Sequence, residues 1–202
     1  MVGIIDYGVG NLFSLNSSFE AIGEKTVVSD NPAVLQSASH IILPGVGAFA
    51  DAAKKLKDSG LSEFVKEQVK AGKPVMGICL GMQLLFERSF EYGEHPGLGI
   101  LSGSVVPMEG KIDLSLKIPH MGWNQLQFVK PSKLFTHINN NDFVYFVHSY
   151  FAAQCEDSVS AVTDYGIEMT ASVEKDNVFG CQFHPEKSGN VGLNILRAFC
   201  EV

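Results

Sequence analysis

The chain has 202 residues, of which 46% are hydrophobic and 18% are charged, as is typical of a globular protein with a sizeable core. A net charge of −7 argues against nucleic acid or an anionic membrane as a partner, because both surfaces are themselves negative. Because the chain has no signal-peptide pattern and no apolar run as long as a membrane span, we expect a cytoplasmic protein with a single domain over residues 1–202.

Strand and helix patterns alternate in the first half of the chain. The apolar run Val2–Ile5 predicts a strand, and the glycine-rich turn DYGVGN follows it. Apolar residues at helical spacing then predict a helix that begins near Leu12 and stops at Gly23. Further strands are predicted at residues 26–28, 40–44 and 75–78, and further helices at residues 48–56 and 61–71. This alternation predicts an α/β fold, with a mainly parallel central sheet and helices on both faces.

The second half is richer in β-branched and aromatic residues. Four segments predict added antiparallel strands, namely GILSGSVVPM, LSLKIPHMGWNQLQFV, NDFVYFVHSYFAA and NVFGCQFHPE. The last segment, GNVGLNILRAFCEV, returns to helical spacing. We expect these strands to extend the same domain, because no linker or repeat divides the chain.

A cysteine interrupts the apolar segment PVMGICLGMQLLFE where the strand pattern gives way to the helix pattern. Cys79 lies between Gly77 and Gly81, and small neighbours are what a sharp, crowded strand-to-helix turn requires. Such a turn pushes the side chain out above the sheet, where it can act as a nucleophile. The alternative is a buried structural cysteine, since free cysteine packs as a small hydrophobe.

A histidine near the end of the chain has the right position to serve as the base. His184 follows a predicted strand over residues 178–183, and Glu186 would project from the same turn to orient the imidazole. Functional residues gather at the carboxyl ends of parallel strands, which is where both Cys79 and His184 fall. The alternative for His184 is a solvated turn histidine.

Acyl transfer also requires donors for a developing oxyanion. The segment Gly45, Val46 and Gly47 in LPGVGAF can turn its N–H groups toward a ligand, and the N–H of Leu80 is the natural second donor. Taken alone, PGVG is more often a simple turn. The turn DYGVGN does not match a nucleotide-binding loop, because it lacks the GxGxxG spacing and a following Walker lysine.

The remaining cysteines and histidines predict no further catalytic group. The four cysteines lie far apart without a CxxC pair, so we expect free thiols and no metal or other cofactor. His120 and His148 are expected in the core or at an interface. Trp123, the only tryptophan, is expected at a binding surface.

Two of these motifs, GICLGMQ and the distal FHPE, resemble those of the class I (triad) glutamine amidotransferases. The match falls on Cys79, His184 and Glu186, in the family's order. The resemblance implies a flavodoxin-like fold and a cysteine nucleophile that attacks the side-chain amide of L-glutamine. It also implies that Gly45, Val46 and Gly47 form the oxyanion segment.

Five further segments, IIDYGVGNLFS, LPGVGAF, IPHMGWN, YFVHSY and QFHPEKSG, are similar to one branch of that family, the glutaminase subunits of imidazole glycerol phosphate synthase. This resemblance implies release of ammonia to a (β/α)8-barrel cyclase subunit in a heterodimer. It assigns substrate binding to Gln83, Glu91, Ser149 and Tyr150, and the partner interface to Trp123, Asn124, Tyr145 and Lys187. Phe90 departs from the acidic residue common beside Glu91.

Three other functions stay open on the sequence alone. The chain can be the glutaminase subunit of another class I amidotransferase, or a hydrolase acting on a related γ-glutamyl amide. It can also be a non-catalytic scaffold with the same fold, although a scaffold has no need of Cys79, His184 and Glu186 together.

Overall fold

The computed structural model describes all 202 residues and contains 14 strands and six α-helices. The strands are β1 (Val2–Ile5), β2 (Thr26–Ser29), β3 (His40–Leu43), β4 (Val75–Ile78), β5 (Phe86–Ser89), β6 (His95–Pro96), β7 (Leu101–Pro107), β8 (His120–Gln125), β9 (Gln127–Phe128), β10 (Phe143–His148), β11 (Tyr150–Ala153), β12 (Val159–Asp164), β13 (Glu168–Lys175) and β14 (Val178–Cys181). The helices are α1 (Leu12–Ala21), α2 (Pro32–Leu35), α3 (Phe49–Asp58), α4 (Leu61–Lys70), α5 (Leu80–Leu84) and α6 (Gly189–Cys200).

Eight strands form the central sheet, in the order β2-β1-β3-β4-β14-β13-β12-β9. The first five strands run parallel, and the last three continue the sheet antiparallel. Every residue of β1, β3, β4 and β14 is buried, as expected where helices cover both faces of a parallel sheet. The predicted α/β fold with a mainly parallel central sheet and added antiparallel strands is therefore confirmed.

Alternate residues of the central strands supply two hydrophobic cores, one on each face of the sheet. On one face, α3 and α4 pack on residues such as Ile41 and Leu43. On the other face, α1 and α6 pack on residues such as Ile42 and Met76. The alternation follows from the two-residue period of a strand, which turns successive side chains to opposite faces. None of the helices combines the length and hydropathy that a membrane crossing requires.

The remaining strands form two smaller sheets beside the carboxyl ends of the parallel strands. One sheet has the order β11-β7-β5-β6, and the other is the antiparallel pair of β10 and β8. Tyr145 of β10 lies opposite Trp123 of β8, and His148 lies opposite His120. Each of these two pairs therefore places its side chains on the same face of the small sheet.

The prediction from sequence is wrong for part of the segment 114–129. Residues 114–119 lie outside any strand, and Leu114 is fully exposed. Pro119 has no N–H to donate to a strand neighbour, so the ladder begins only at His120. The helix after Cys79 is also shorter than its apolar pattern indicated, since α5 ends at Leu84 and strand β5 follows.

Strands β12 and β13 are absent from the sequence-based prediction, although they complete the central sheet. Both carry buried hydroxyl residues, among them Ser160, Thr163, Thr170 and Ser172. These residues weaken the apolar signal on which a strand prediction depends. Their burial results from pairing with β14 and with each other, which is tertiary context rather than local pattern.

Candidate active site

Cys79 occupies a strained turn between β4 and α5. Its backbone has φ 53° and ψ −110°, in the left-handed region that a side chain with a Cβ rarely adopts. A Cβ on Gly77 would lie 2.6 Å from the backbone of Met82, and one on Gly81 would lie 1.8 Å from the carbonyl oxygen of Leu43. Both flanking residues must therefore be glycine, and the crowded turn expected from the sequence is present.

The Cys79 sulfur lies near one polar group of strand β10 and one that directly follows strand β14. Its Sγ lies 3.9 Å from the carbonyl oxygen of Val147 and 3.8 Å from Nε2 of Gln182. The Cys79 N–H donates to the carbonyl of Cys181 on β14, at 2.7 Å. This bond ties the turn to the adjacent strand, and the side chain remains only 7% exposed.

His184 and Glu186 lie together just beyond the carboxyl end of β14. Nδ1 of His184 is 2.8 Å from Oε1 of Glu186, and both side chains are almost completely buried. Nε2 of His184 is buried without a hydrogen-bond partner. This arrangement leaves one imidazole nitrogen for proton transfer while the carboxylate orients the other.

The environment of His184 favours its protonated form. Burial by itself lowers the pKa of the imidazole, but interactions with the Cys79 sulfur and the Glu186 carboxylate outweigh burial and raise the pKa of His184 to about 10. The imidazole is therefore a strong acceptor for a thiol proton, as expected of the base in a Cys–His pair.

Cys79 and His184 open into one cavity of about 300 Å³. No group of three or more His, Cys, Asp or Glu side chains is arranged to hold a metal ion. Nine of the twelve residues that line the cavity are site residues predicted from sequence, namely Val46, Gly47, Cys79, Leu80, Gln83, Glu91, Ser149, Tyr150 and His184. The other three are Pro119, Val147 and His148.

Val46 and Gly47 line the cavity, whereas Gly45, the first residue of the predicted oxyanion segment, does not. The N–H groups of Val46 and Gly47 donate to no group in the protein, and Gly47 has φ +94°. Gly45 packs tightly, since a Cβ there would lie 2.7 Å from the backbone nitrogen of Gly81. The segment thus offers two unused N–H donors in the cavity that Cys79 also lines.

Tyr7 anchors the residue before this segment, a role that sequence reasoning missed. Its buried hydroxyl donates to the carbonyl oxygen of Pro44, at 2.7 Å. Burial, followed by the nearby Cys79, raises the pKa of Tyr7, so the phenol stays protonated as a donor. The sequence did contain one indication of this contact. DYGVGN and PGVG follow strands β1 and β3, which are parallel neighbours in the sheet, so the two segments emerge side by side.

Two predicted substrate-binding side chains also make internal contacts. Gln83 is buried, and its Nε2 donates to the carbonyl of Tyr150 and to Oε1 of Gln182, each at 3.0 Å. A carboxylate oxygen of Glu91 accepts the N–H of Phe49 at the first turn of α3. Gln182 was missed from the sequence, although a polar residue inside the apolar run VFGCQF indicates a buried hydrogen bond.

The four residues assigned to a partner interface do not all lie together. Trp123 is 55% exposed and packs edge-to-face on Tyr145, with ring centroids 6.2 Å apart. Nζ of Lys187 lies 5.9 Å from the centre of the Tyr145 ring. Asn124 is on the opposite face of β8 and donates to the carbonyl of Asp164 at 2.7 Å. The structure therefore brings three of the four together and leaves Asn124 outside this cluster.

Comparison with known proteins assigns the chain to a family. Residues 3–201 match the family model described as glutamine amidotransferase class-I. The chain is 49% identical to imidazole glycerol phosphate synthase subunit HisH of Lactococcus lactis over 199 residues, which cover 98% of this chain and 96% of that protein. It is 48% identical to subunit HisH 1 of Campylobacter jejuni over 203 residues and the full length of both chains.

The fold has counterparts among solved structures. A crystal structure of a glutamine amidotransferase superposes with a TM-score of 0.77 and 19% identity, covering 99% of this chain and 97% of that one. At 19% identity this similarity shows the fold alone. The assignment to a family rests on the family model and on the two relatives that are about half identical. The chain belongs to the class I glutamine amidotransferases and, within them, to the HisH subunits of imidazole glycerol phosphate synthase.

Proposed function

We propose that this chain is the glutaminase subunit of imidazole glycerol phosphate synthase, hydrolysing L-glutamine to glutamate and ammonia for histidine biosynthesis. One observation carries the proposal. The strained Cys79 lines the same cavity as His184, which is hydrogen-bonded to the buried carboxylate of Glu186. The identity of about half of all residues with HisH subunits supports the choice of this synthase over other class I amidotransferases.

In the first half of the reaction, the Cys79 sulfur attacks the side-chain amide carbon of glutamine. The thiol proton passes to Nε2 of His184, which then delivers it to the departing nitrogen as the carbon–nitrogen bond breaks. The products of this step are ammonia and a γ-glutamyl thioester on Cys79. Water then attacks the thioester with His184 as the base, which releases glutamate and restores the thiol.

The oxyanion formed in each step requires N–H donors aimed at the cavity. We assign this role to Leu80 and to the segment Gly45–Gly47, because the N–H groups of Val46 and Gly47 have no partner within the protein. We propose that Glu91 binds the α-amino group of glutamine, and that Ser149 and Tyr150 bind its α-carboxylate end. Gln83 would hold the substrate beside the nucleophile, and these four side chains line the cavity.

We further propose that ammonia passes to a (β/α)8-barrel cyclase subunit bound as a heterodimer. There it would react with a phosphoribulosyl formimino intermediate to give imidazole glycerol phosphate and an aminoimidazole carboxamide ribotide. The exposed cluster of Trp123, Tyr145 and Lys187 beside the site supports this face as the interface. We assign Asn124 to its edge.

We propose one domain over residues 1–202, because strands and helices from both ends of the chain build the central sheet and its cores. We also propose a cytoplasmic location. All four cysteines are free thiols, as is usual in a reducing compartment.

The proposed nucleophile is tested by selective labelling. A glutamine-like chloroketone is expected to modify Cys79, because burial raises the pKa of the thiols of Cys155 and Cys181 and raises that of Cys200 to about 12. Peptide mapping by mass spectrometry checks the site of modification, with L-glutamine as a competing protectant. Label found mainly on another cysteine, or unaffected by glutamine, would contradict the assignment.

The proposed partnership predicts weak glutaminase activity for the chain alone and stimulation of about tenfold or more by the cyclase with its ligand. The physical reason is that the Val46 and Gly47 N–H groups have no internal partner to hold them in one orientation. Glutamate release measured with and without the cyclase checks this expectation, with an unrelated (β/α)8 barrel as the control. Full activity of the isolated chain would overturn it.

A further inference from the structure

A pair of buried histidines outside the triad connects the small β8–β10 sheet to the cavity. His120 and His148 are opposite each other in the strand register, and both are almost completely buried. Nδ1 of His120 lies 3.1 Å from Nε2 of His148, and Nδ1 of His148 lies 2.9 Å from the carbonyl oxygen of Tyr150. Neither residue has a part in the triad chemistry.

The chemistry of these partners gives the chain of hydrogen bonds a single direction. The carbonyl of Tyr150 can only accept, so Nδ1 of His148 carries the proton. In a neutral imidazole the other nitrogen then accepts, which makes Nδ1 of His120 the donor to His148. Nε2 of His120 is left as an acceptor, and Nδ2 of Asn124 lies 3.4 Å away to donate to it.

Both imidazoles must be neutral for this series of hydrogen bonds to form, and their surroundings favour the neutral form. Burial lowers the pKa of His120 to about 4. Burial also lowers the pKa of His148 to about 3 and outweighs the hydrogen bond to Tyr150, which raises it; His120 and His184 lower it further by smaller amounts. The other titratable group against the pair is Tyr165, whose ring stacks on His120 with centroids 4.0 Å apart.

The chain of hydrogen bonds ends on the segment that closes one side of the cavity. The carbonyl of Tyr150 accepts both from His148 and from Nε2 of Gln83, which in turn bonds to Gln182 beside the Cys79 sulfur. Within this segment, the carbonyl of Val147 approaches the sulfur to 3.9 Å. A shift of the segment would therefore change both the substrate wall and the contacts of the nucleophile.

We propose that His120 and His148 are positioning residues of the glutaminase site, which hold the segment 147–150 in place through a hydrogen-bond chain that runs from Asn124 to Tyr150. The expected effect on turnover rests on the proposed function, whereas the direction of the hydrogen bonds does not. Because Ser149 and Tyr150 of this segment face the proposed α-carboxylate end of glutamine, we expect the pair to act mainly on substrate binding.

Two substitutions at His120 separate hydrogen bonding from packing. His120→Phe retains an aromatic ring against Phe146 and Tyr165 but removes the donor to His148. His120→Asn retains a donor near the position of Nδ1 but loses the ring. With the cyclase and its ligand present, we expect His120→Phe to raise KM for glutamine about tenfold with kcat changed less than about twofold. We expect His120→Asn to stay within about threefold of wild type in KM. A purely structural role for the ring predicts the reverse order, and that order would overturn the proposal.

Nitrogen-15 NMR of histidine-labelled protein tests the direction of these hydrogen bonds without any activity measurement. At pH 7 both His120 and His148 are expected as neutral Nδ1–H tautomers, the less common form in water, with signals assigned from His120→Asn and His148→Asn. Either ring found as the Nε2–H tautomer or as imidazolium would overturn the proposal. A wild-type chain that hydrolyses no glutamine but shows both Nδ1–H tautomers would refute the proposed function and leave the hydrogen-bond chain standing.

Discussion

Replacing Cys79 by Ala or Ser is expected to abolish the use of glutamine as a nitrogen source while sparing the use of ammonia. In complex with the cyclase, either variant should lose glutamine hydrolysis by a factor of at least about 10³, because no other group can form the thioester. The proposed cyclase reaction takes its nitrogen as NH₃. Product should therefore still form from ammonium salts at a pH high enough to supply free ammonia.

The informative measurement is the ratio of glutamate to imidazole product for each nitrogen source. Cys200→Ser is the matched control, because this thiol lies at the end of α6 and is not among the residues that line the cavity, so both reactions should be unchanged. A scaffold function predicts that Cys79→Ala has no effect with either nitrogen source. A peptide hydrolase predicts no coupling to the cyclase at all, so either result would refute the proposed function.

Disruption of the exposed face should behave differently from loss of the nucleophile. Lys187→Ala removes the cation beside Tyr145 without touching the His184–Glu186 bond. In that variant less product should form for each glutamate released, because ammonia escapes to solvent before it reaches the partner. This ratio separates the interface from the triad within the same assay.

The second large effect concerns the base and its orienting carboxylate. His184→Ala should lower kcat for glutamine by about 10³ or more, because general base catalysis and the proton for the leaving nitrogen are both lost. Glu186→Gln should lower kcat less, by about 10- to 100-fold, because the amide oxygen can still accept the Nδ1–H of His184. An inactive Glu186→Gln beside a nearly normal His184→Ala would show that the roles are wrongly assigned.

The Glu186 substitution also has a pH signature with a definite sign. Burial lowers the pKa of His184, but interactions with Cys79 and Glu186 outweigh burial and raise this pKa to about 10, so the imidazolium form persists to alkaline pH. Replacing the Glu186 carboxylate by a neutral amide lowers that pKa. The alkaline limb of the kcat/KM profile, where the imidazolium loses its proton, should therefore move to lower pH in Glu186→Gln. An unchanged alkaline limb would mean that the carboxylate does not act on His184.

The sequence by itself was sufficient for the layout of the parallel part of the fold and for the crowded turn that holds Cys79. Runs such as Val2–Ile5 and Val75–Ile78 are strands because every side chain is apolar and both faces are covered. The glycines around Cys79 are a local signal, since their missing Cβ atoms are what the crowded turn demands. Because parallel strands end at the same edge of a sheet, residues that follow different strands can be assigned to one site from their positions in the chain.

Other features depend on residues that are distant in sequence, and only the tertiary structure decided them. The Tyr7–Pro44 bond, the His120–His148 pair and the Gln83–Gln182 bond join positions on separate elements. Strand β13 is buried through pairing with β14, and β12 through pairing with β13, rather than through their own hydropathy. Asn124 follows Trp123 directly, yet its side chain turns to the opposite face because strand side chains alternate. Local periodicity in the sequence predicts most of the secondary structure. The hydrogen-bond partners of buried polar groups are determined only when the sheets pack, because only the packed fold decides which acceptor lies within reach of a buried donor.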